Sequence, residues 1–406
     1  MRRCLLLLLL LLPAVARADD PLKLRSLMRD ARTALKSASG QTDAEQGLLA
    51  VADSSLVADG QRAEIYYLCA RLELSRNDAE NLRLYLGQEY DTLAFFQTIL
   101  RMHQYLLRSD SAALKNPHAK KSRSLLLRHR MNLLAGGKYL LSKEEYSEAF
   151  PYLDMYLRVP EERLMAKDDY LREDTLLPKV SFWATMAAYN SDNPRGVLRH
   201  IDLAIEGATE AQRASLWECK TNCYLALGDS SAWLTTLLYG VRNYPRHDYF
   251  YLHLVDYYNG KGFFERGLLM SDSLLHVVGE RSIYWFGKSQ MYLGMADYDG
   301  CIEAADNVIA LDTTFTDAYY DKGIAFLNKA VLFSRTMDTD IRSATGKQDW
   351  VRLRGLYQFA REPLERVREL APDDKQKWAR PLYTIYLNLN LGDEFAEMER
   401  ILGDEQ

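Results

Sequence analysis

The chain has 406 residues, with 51 Lys and Arg against 56 Asp and Glu and a formal net charge of −5, so a broadly basic surface for a nucleic-acid backbone is not expected. No apolar run reaches the roughly 20 residues that a membrane-spanning helix needs. Hydrophobic residues make up 48% of the chain, enough to bury a sizeable core.

Residues 1–18 read as a cleaved export signal. Arg2 and Arg3 form its charged start, eight leucines from Leu5 to Leu12 its apolar run, and Ala16-Arg17-Ala18 its small-residue cleavage site before Asp19. So leucine-rich a run suits the general secretory route better than the twin-arginine one. Cys4 precedes the run, so it is not the lipid-bearing cysteine of a lipoprotein. The expected product is a soluble protein of the periplasm or of the outside of a bacterial cell.

Residues 19–113 read as helices with degenerate pairing: a pair near 62–95 and an apolar helix from Thr92 to Leu107. Residues 114–130 read as a basic linker carrying Lys115, Lys120, Lys121, Arg123, Arg128 and Arg130, with no acid from Leu114 to His129. Such a run suits a solvated entry into a helix. In an acidic protein it is also a candidate patch for an anionic envelope polymer, a lipid headgroup or a partner protein. A helix pair follows at about 130–163, marked by Gly137, Leu140, Tyr146, Ala149, Leu153 and Tyr156. Pro160 to Pro178 is a charged interruption, and Phe182 to Ile205 forms another pair turned at Asp192-Asn193-Pro194.

From there a period of 34 residues organises the chain. Trp217, Tyr251, Trp285 and Tyr319 recur at that spacing, as do Tyr224, Tyr258, Tyr292 and Phe326, with Thr221, Val255, Ser289 and Gly323 between them. An aromatic, a small residue four on and an aromatic three further describe one helix face with a notch for a second helix. Turns come at Leu227-Gly228-Asp229, Lys261-Gly262 and Ala296-Asp297-Tyr298. Second helices then present Trp233, Leu237 and Gly240; Gly267, Ser271 and Leu274; and Cys301, Ala305 and Val308. A fourth unit starts at Thr316, and its second helix, with Tyr357, Ala360, Leu364, Val367 and Pro372, comes about 25 residues late. That delay predicts an insertion at about 331–356 with a projecting hairpin tip at Met337–Gln348. Trp378 to Leu402 reads as a last pair turned at Gly392-Asp393, so 131–374 is the repeat array and 375–406 its cap.

In this register the chain resembles tetratricopeptide repeat (TPR) proteins, whose 34-residue unit is an antiparallel helix pair; the resemblance is most specific over 214–329. It implies an all-α fold, a right-handed solenoid of about nine or ten such pairs forming a superhelix, and a concave groove that binds a peptide or helix of another protein. The groove places implied on this chain are Asn222; Tyr249, Leu252 and Asp256; Ile283, Phe286 and Gln290; and Tyr320 and Ile324, with Ser215, Glu218, Asp317 and Leu327 at equivalent places. Glu218, Leu252 and Phe286 stand where clamps for a chaperone carboxylate carry Lys or Arg, which disfavours that partner.

The expected role is a non-enzymatic protein-binding scaffold of the cell envelope. The competing roles are a glycan-binding component of an outer-membrane uptake system and a self-associating structural protein. No Gly-x-Ser-x-Gly, His-Glu-x-x-His or phosphate loop is present, the seven histidines are scattered, and no cofactor or metal is expected. Cys219 and Cys223, four apart on one helix face, read as small packing residues, since no further Cys or His lies near them in sequence.

Overall fold

A computed structural model describes residues 21–168 and 171–403; the expected export signal at 1–18 lies outside the described residues. The described residues form eighteen α-helices and no β-strand, an all-α repeat of helix pairs. The chain divides into two compact units, Met1–Leu227 and Gly228–Gln406.

The first unit comprises α1 (Pro21–Ser37), α2 (Gln41–Ala52), α3 (Asp59–Tyr85), α4 (Thr92–Ala112), α5 (Ala119–Leu141), α6 (Tyr146–Arg158), α7 (Leu177–Asn190), α8 (Pro194–Gly207) and α9 (Glu210–Ala226). Each helix packs on the next, as short connections between antiparallel neighbours require. Its core runs through Leu48, Ile65, Cys69, Leu72, Ile99, Met102, Leu106, Leu126 and Leu153, all sealed from solvent. Asn77 on α3 is buried because its amide donates to the Phe95 carbonyl at 2.8 Å and to Thr98 Oγ1 at 3.1 Å.

The basic run is not a linker. From Ala119 onward it is the first half of α5, and two of its arginines are turned inward onto the charged segment between α6 and α7. Arg123 Nε donates to Asp168 at 2.6 Å and Arg130 to Asp174 at 2.8 Å, while Arg163 of that segment reaches back to Asp110 on α4 at 2.9 Å. Arg130 is buried, and its guanidinium lies 3.8 Å from the Tyr156 ring centroid. Met165 and Leu171 of the same segment are buried, so its described residues are strapped to the helices rather than looped out. Lys115, Lys120, Lys121 and Arg128 remain exposed.

The second unit comprises α10 (Ser230–Asn243), α11 (Asp248–Lys261), α12 (Phe264–Val278), α13 (Ser282–Gly294), α14 (Tyr298–Leu311), α15 (Thr316–Ser334), α16 (Ala344–Leu370), α17 (Lys375–Leu389) and α18 (Gly392–Gly403). Besides packing on its successor, α11 touches α13, α13 touches α15 and α15 touches α17, so the first helices of successive pairs form a layer of their own. The turn device is periodic. Gly228, Gly262 and Ala296, spaced by 34, all have positive φ (73°, 68° and 60°), as do Glu144 and Asp192 in the turns of the first unit. Asp229 and Asp297 then cap the helices that follow, each accepting from a backbone N–H three residues on.

The small-residue notch is where the period places it: Thr221, Val255, Ser289 and Gly323 are all buried. A Cβ on Gly323 would lie 2.5 Å from Leu364 of α16, which is how closely that second helix approaches. The aromatic position differs from expectation. Of Trp217, Tyr251, Trp285 and Tyr319 only Tyr251 is buried; the core is filled one residue earlier, by Leu216, Phe250, Tyr284 and Ala318. A helix turns 100° per residue, so the aromatic residues sit at the edge of the buried stripe, close enough to mark the period but not to fill the core. The insertion lengthens α15 and α16, joined by a loop at 335–343, and residues 344–348 lie within α16 instead of a hairpin tip. The last turn is made at Asn390 (φ 57°), and Gly392 already belongs to α18.

Candidate functional site

In the first unit, α7 and α9 are first helices of successive pairs, with α8 as the second helix between them in sequence. Pro194 starts α8, Asn193 caps it by accepting from Gly196 N–H at 2.9 Å, and Thr209 with Gln212 forms a capping box at the start of α9. These two stops hold α7 and α9 side by side with a cleft of 470 Å³ between them. Phe182, Met186 and Tyr189 project from α7 at helical spacing, and Gln212, Ser215, Leu216, Glu218, Cys219 and Asn222 line it from α9. A second cleft of 390 Å³ continues past Tyr189 and Asn222 to Asn193, Pro194, Val197, Cys223 and Ala226. Tyr189 is 45% exposed. Partial burial raises its phenol above the ordinary range, helped by the neighbouring Cys219 and Glu218.

Asn222 therefore lies at the junction of both clefts, and Ser215 and Glu218 line the first. The α7 wall was missed in the sequence, although Phe182, Met186 and Tyr189 fall on one helix stripe there; the looser register upstream of 214 hid their equivalence to later groove places.

In the second unit the implied groove residues all lie on α11, α13 and α15, but several are engaged within the fold. The Tyr249 ring lies 4.1 Å from that of His253 and 5.4 Å from that of Phe250. Ile283 packs beside Tyr251, Tyr284 and Met291, Phe286 lies 5.1 Å from Phe315, and Tyr320 packs on the core of the last helices. Leu252 and Ile324 are half-buried, and Asp256 is exposed.

Gln290 is held by the fold rather than offered to a groove. Its amide nitrogen donates to both carboxylate oxygens of Asp321 at 2.8 Å, and Ser289 Oγ donates to the same carboxylate at 2.6 Å. Asp321 occupies the place equivalent to Gly287, where a Cβ would lie 1.9 Å from the Tyr251 hydroxyl oxygen. Its carboxyl is pushed up to about 7 by burial, which outweighs the two donors.

Among the described residues no group of three or more His, Cys, Asp or Glu side chains is placed to hold a metal ion, and no helix is long and apolar enough to cross a membrane.

No protein-family model matches the chain, and no curated protein matches it. Among solved structures it is similar to the C-terminal part of a TPR repeat-containing protein from Cytophaga hutchinsonii, at 12% identity and a TM-score of 0.36, over 64% of this chain and 97% of that one. It is likewise similar to a TPR repeats protein from Bacteroides fragilis, at 14% identity and a TM-score of 0.30, over 67% of this chain and 98% of that one. The resemblance to TPR proteins is carried by this chain's own features: a 34-residue register, left-handed turns at that period, and buried notches where second helices dock.

Proposed function

We propose that the chain is a non-enzymatic protein-interaction scaffold of the bacterial cell envelope that receives an apolar peptide or one face of a helix from a partner in the α7–α9 cleft. The cleft carries this reading. Its volume lies in the range of roughly 300–1,000 Å³ typical of binding pockets. Its walls pair aromatic and aliphatic side chains with a few amides and hydroxyls able to orient a backbone. Each apolar side chain of a partner fully buried there contributes about 1.5–3 kcal/mol. Two such anchors, with the rim amides of Gln212 and Asn222, suit a transient adaptor better than a permanent subunit. The export signal read at 1–18 supports the envelope address.

A photo-crosslinking residue at Asn222, compared with one at Leu269, which is 70% exposed on α12, tests this in the native host. The expected result is a defined protein adduct from position 222 that disappears with Phe182→Ala and Tyr189→Ala. Equal adducts from both positions, or an adduct indifferent to the double variant, would overturn the assignment.

A further inference from the structure

The α16 helix buries one side and shows the other. Leu353, Tyr357, Ala360, Leu364 and Val367 belong to the core of the last helices. At 100° per residue the opposite side carries Val351, Gly355 and Phe359, each four residues from the next. Val351 is 74% exposed and Phe359 61%, and a Cβ placed on Gly355 would meet no atom within 4 Å. A second helix that faced only water would be polar along this side.

The charges of α16 are sorted about Gly355. Before it stand Lys347, Arg352 and Arg354, all exposed, while Asp349 is turned to the 335–343 loop and accepts from the Asp338 N–H at 2.8 Å. After it Phe359, whose ring lies 5.4 Å from that of Phe326, borders an open groove of 620 Å³ lined also by Ile302 and Pro363. The groove carries Asp306, Glu362, Glu365 and Glu369 against Lys322 and Arg366. Both of these cations are already paired, Lys322 with Asp306 at 2.6 Å and Arg366 with Glu369 at 2.7 Å, and Glu362 stands exposed.

We propose that this side of α16 is a self-association surface, on which a second copy of the chain docks its own α16 in antiparallel orientation about Gly355. Reversing the helix about that residue sets Val351 of each copy against Phe359 of the other. It also brings the basic half of each over the acidic groove of the other, with Lys347 reaching towards Glu362, whereas a parallel pairing would set like charges together. Glycine at the crossing lets the two backbones approach closely. The same patch serves both copies, so the contact closes as a two-fold dimer instead of growing into a filament. Two large apolar side chains per copy make such a dimer reversible. On α12 Leu269 and Val277 are exposed as well, but Glu265, Arg266 and Asp272 are not sorted along that helix, so it offers no self-complementary face. The surface lies in the other unit from the α7–α9 cleft and does not depend on that cleft's role.

Sedimentation velocity of the full chain over a concentration series from micromolar to hundreds of micromolar is the test. The expected result is a monomer–dimer equilibrium that weakens in high salt. Phe359→Ser and Gly355→Leu should each abolish the dimer. Gly355→Leu should melt no lower than the native chain by circular dichroism, because its side chain enters open space and glycine is the poorer helix former, so its loss of the dimer is not a loss of folding. Lys347→Glu should weaken the dimer about tenfold, and adding Glu362→Lys to it should restore the native affinity. Leu269→Lys on α12 should change nothing. A chain that stays monomeric throughout, a dimer indifferent to Gly355→Leu, a charge reversal without rescue, or a dimer lost through Leu269→Lys would overturn the proposal.

Discussion

Replacing Asp321 by Asn should stabilise the second unit at alkaline pH and leave it nearly unchanged in acid. The carboxyl lies at about 7 in the fold against 3.8 as its ordinary value, and it is fully buried. The folded state therefore holds a proton that the unfolded chain has released between pH 4 and 7, so the proton's stabilisation is complete below about pH 4 and is lost as pH rises through 7. Three units correspond to about 4 kcal/mol at 1.36 kcal/mol each. Asn is the neutral counterpart of the protonated acid: its Oδ1 can accept from Gln290 Nε2, and its amide NH2, standing in for the second oxygen, can donate to Ser289 Oγ, which now accepts instead of donating. Some of the gain is offset because those hydrogen bonds are weaker to an amide than to a carboxylate, leaving about 2–4 kcal/mol above pH 8. For a unit of this size that is a rise on the order of 10 °C in melting temperature. Scanning calorimetry of both proteins at pH 5 and pH 8.5 isolates the effect, since every other titrating group cancels in the difference between differences. A variant no more stable than the native chain at pH 8.5, or shifted equally at both pH values, would refute the argument.

Three further outcomes follow from the packing. Gly240→Ala sets a Cβ 2.2 Å from the Phe250 ring, and urea unfolding should show a loss of about 1–3 kcal/mol, partly restored by Phe250→Leu. Ala296 holds a positive φ of 60° where the two preceding repeats carry glycine, so Ala296→Gly should gain about 0.5–1 kcal/mol in the same assay, net of glycine's entropy. His103 is sealed between α4 and α5 with Nδ1 2.8 Å from the Ile99 carbonyl, and burial lowers it to about 4. Its contribution is present above pH 6.5 and lost as pH falls towards 4, so amide protection in α4 and α5, measured relative to the intrinsic exchange rate at each pH, should fall below pH 5; an imidazole signal titrating near 6.5 would contradict this.

A charge pattern repeats with the helices. Lys220 pairs with Asp202 in the first unit, and in the second Lys288 pairs with Asp272 and Lys322 with Asp306, each time a first helix reaching back to the second helix before it. Lys220 and Lys288 also lie 4.8 and 4.6 Å from the ring centroids of Trp217 and Trp285. The half-exposed tryptophans thus hold lysine ammonium groups over their rings at repeat junctions, which accounts for aromatic residues recurring just outside the core.

Local chemistry made the helix pairs readable from the amino-acid order alone. Small residues every 34 positions, glycines at the reversals and Asp or Asn after them act within a few residues of themselves, so their consequences do not depend on the rest of the molecule. The delayed second helix of the fourth unit was legible for the same reason, because Tyr357, Ala360, Leu364 and Val367 keep helical spacing wherever they fall. Which face each residue serves was decided only in three dimensions. Arg123 and Arg130 look like members of a surface cluster until Asp168 and Asp174, more than 40 residues away, close on them. Gln290 looks like a groove residue until Asp321 takes its amide. The α7–α9 cleft, lined by Phe182, Met186 and Tyr189 on one side and by Ser215, Cys219 and Asn222 on the other, arises from the spacing of two helices that no local pattern specifies, because the separation of packed helices is set by side chains on both.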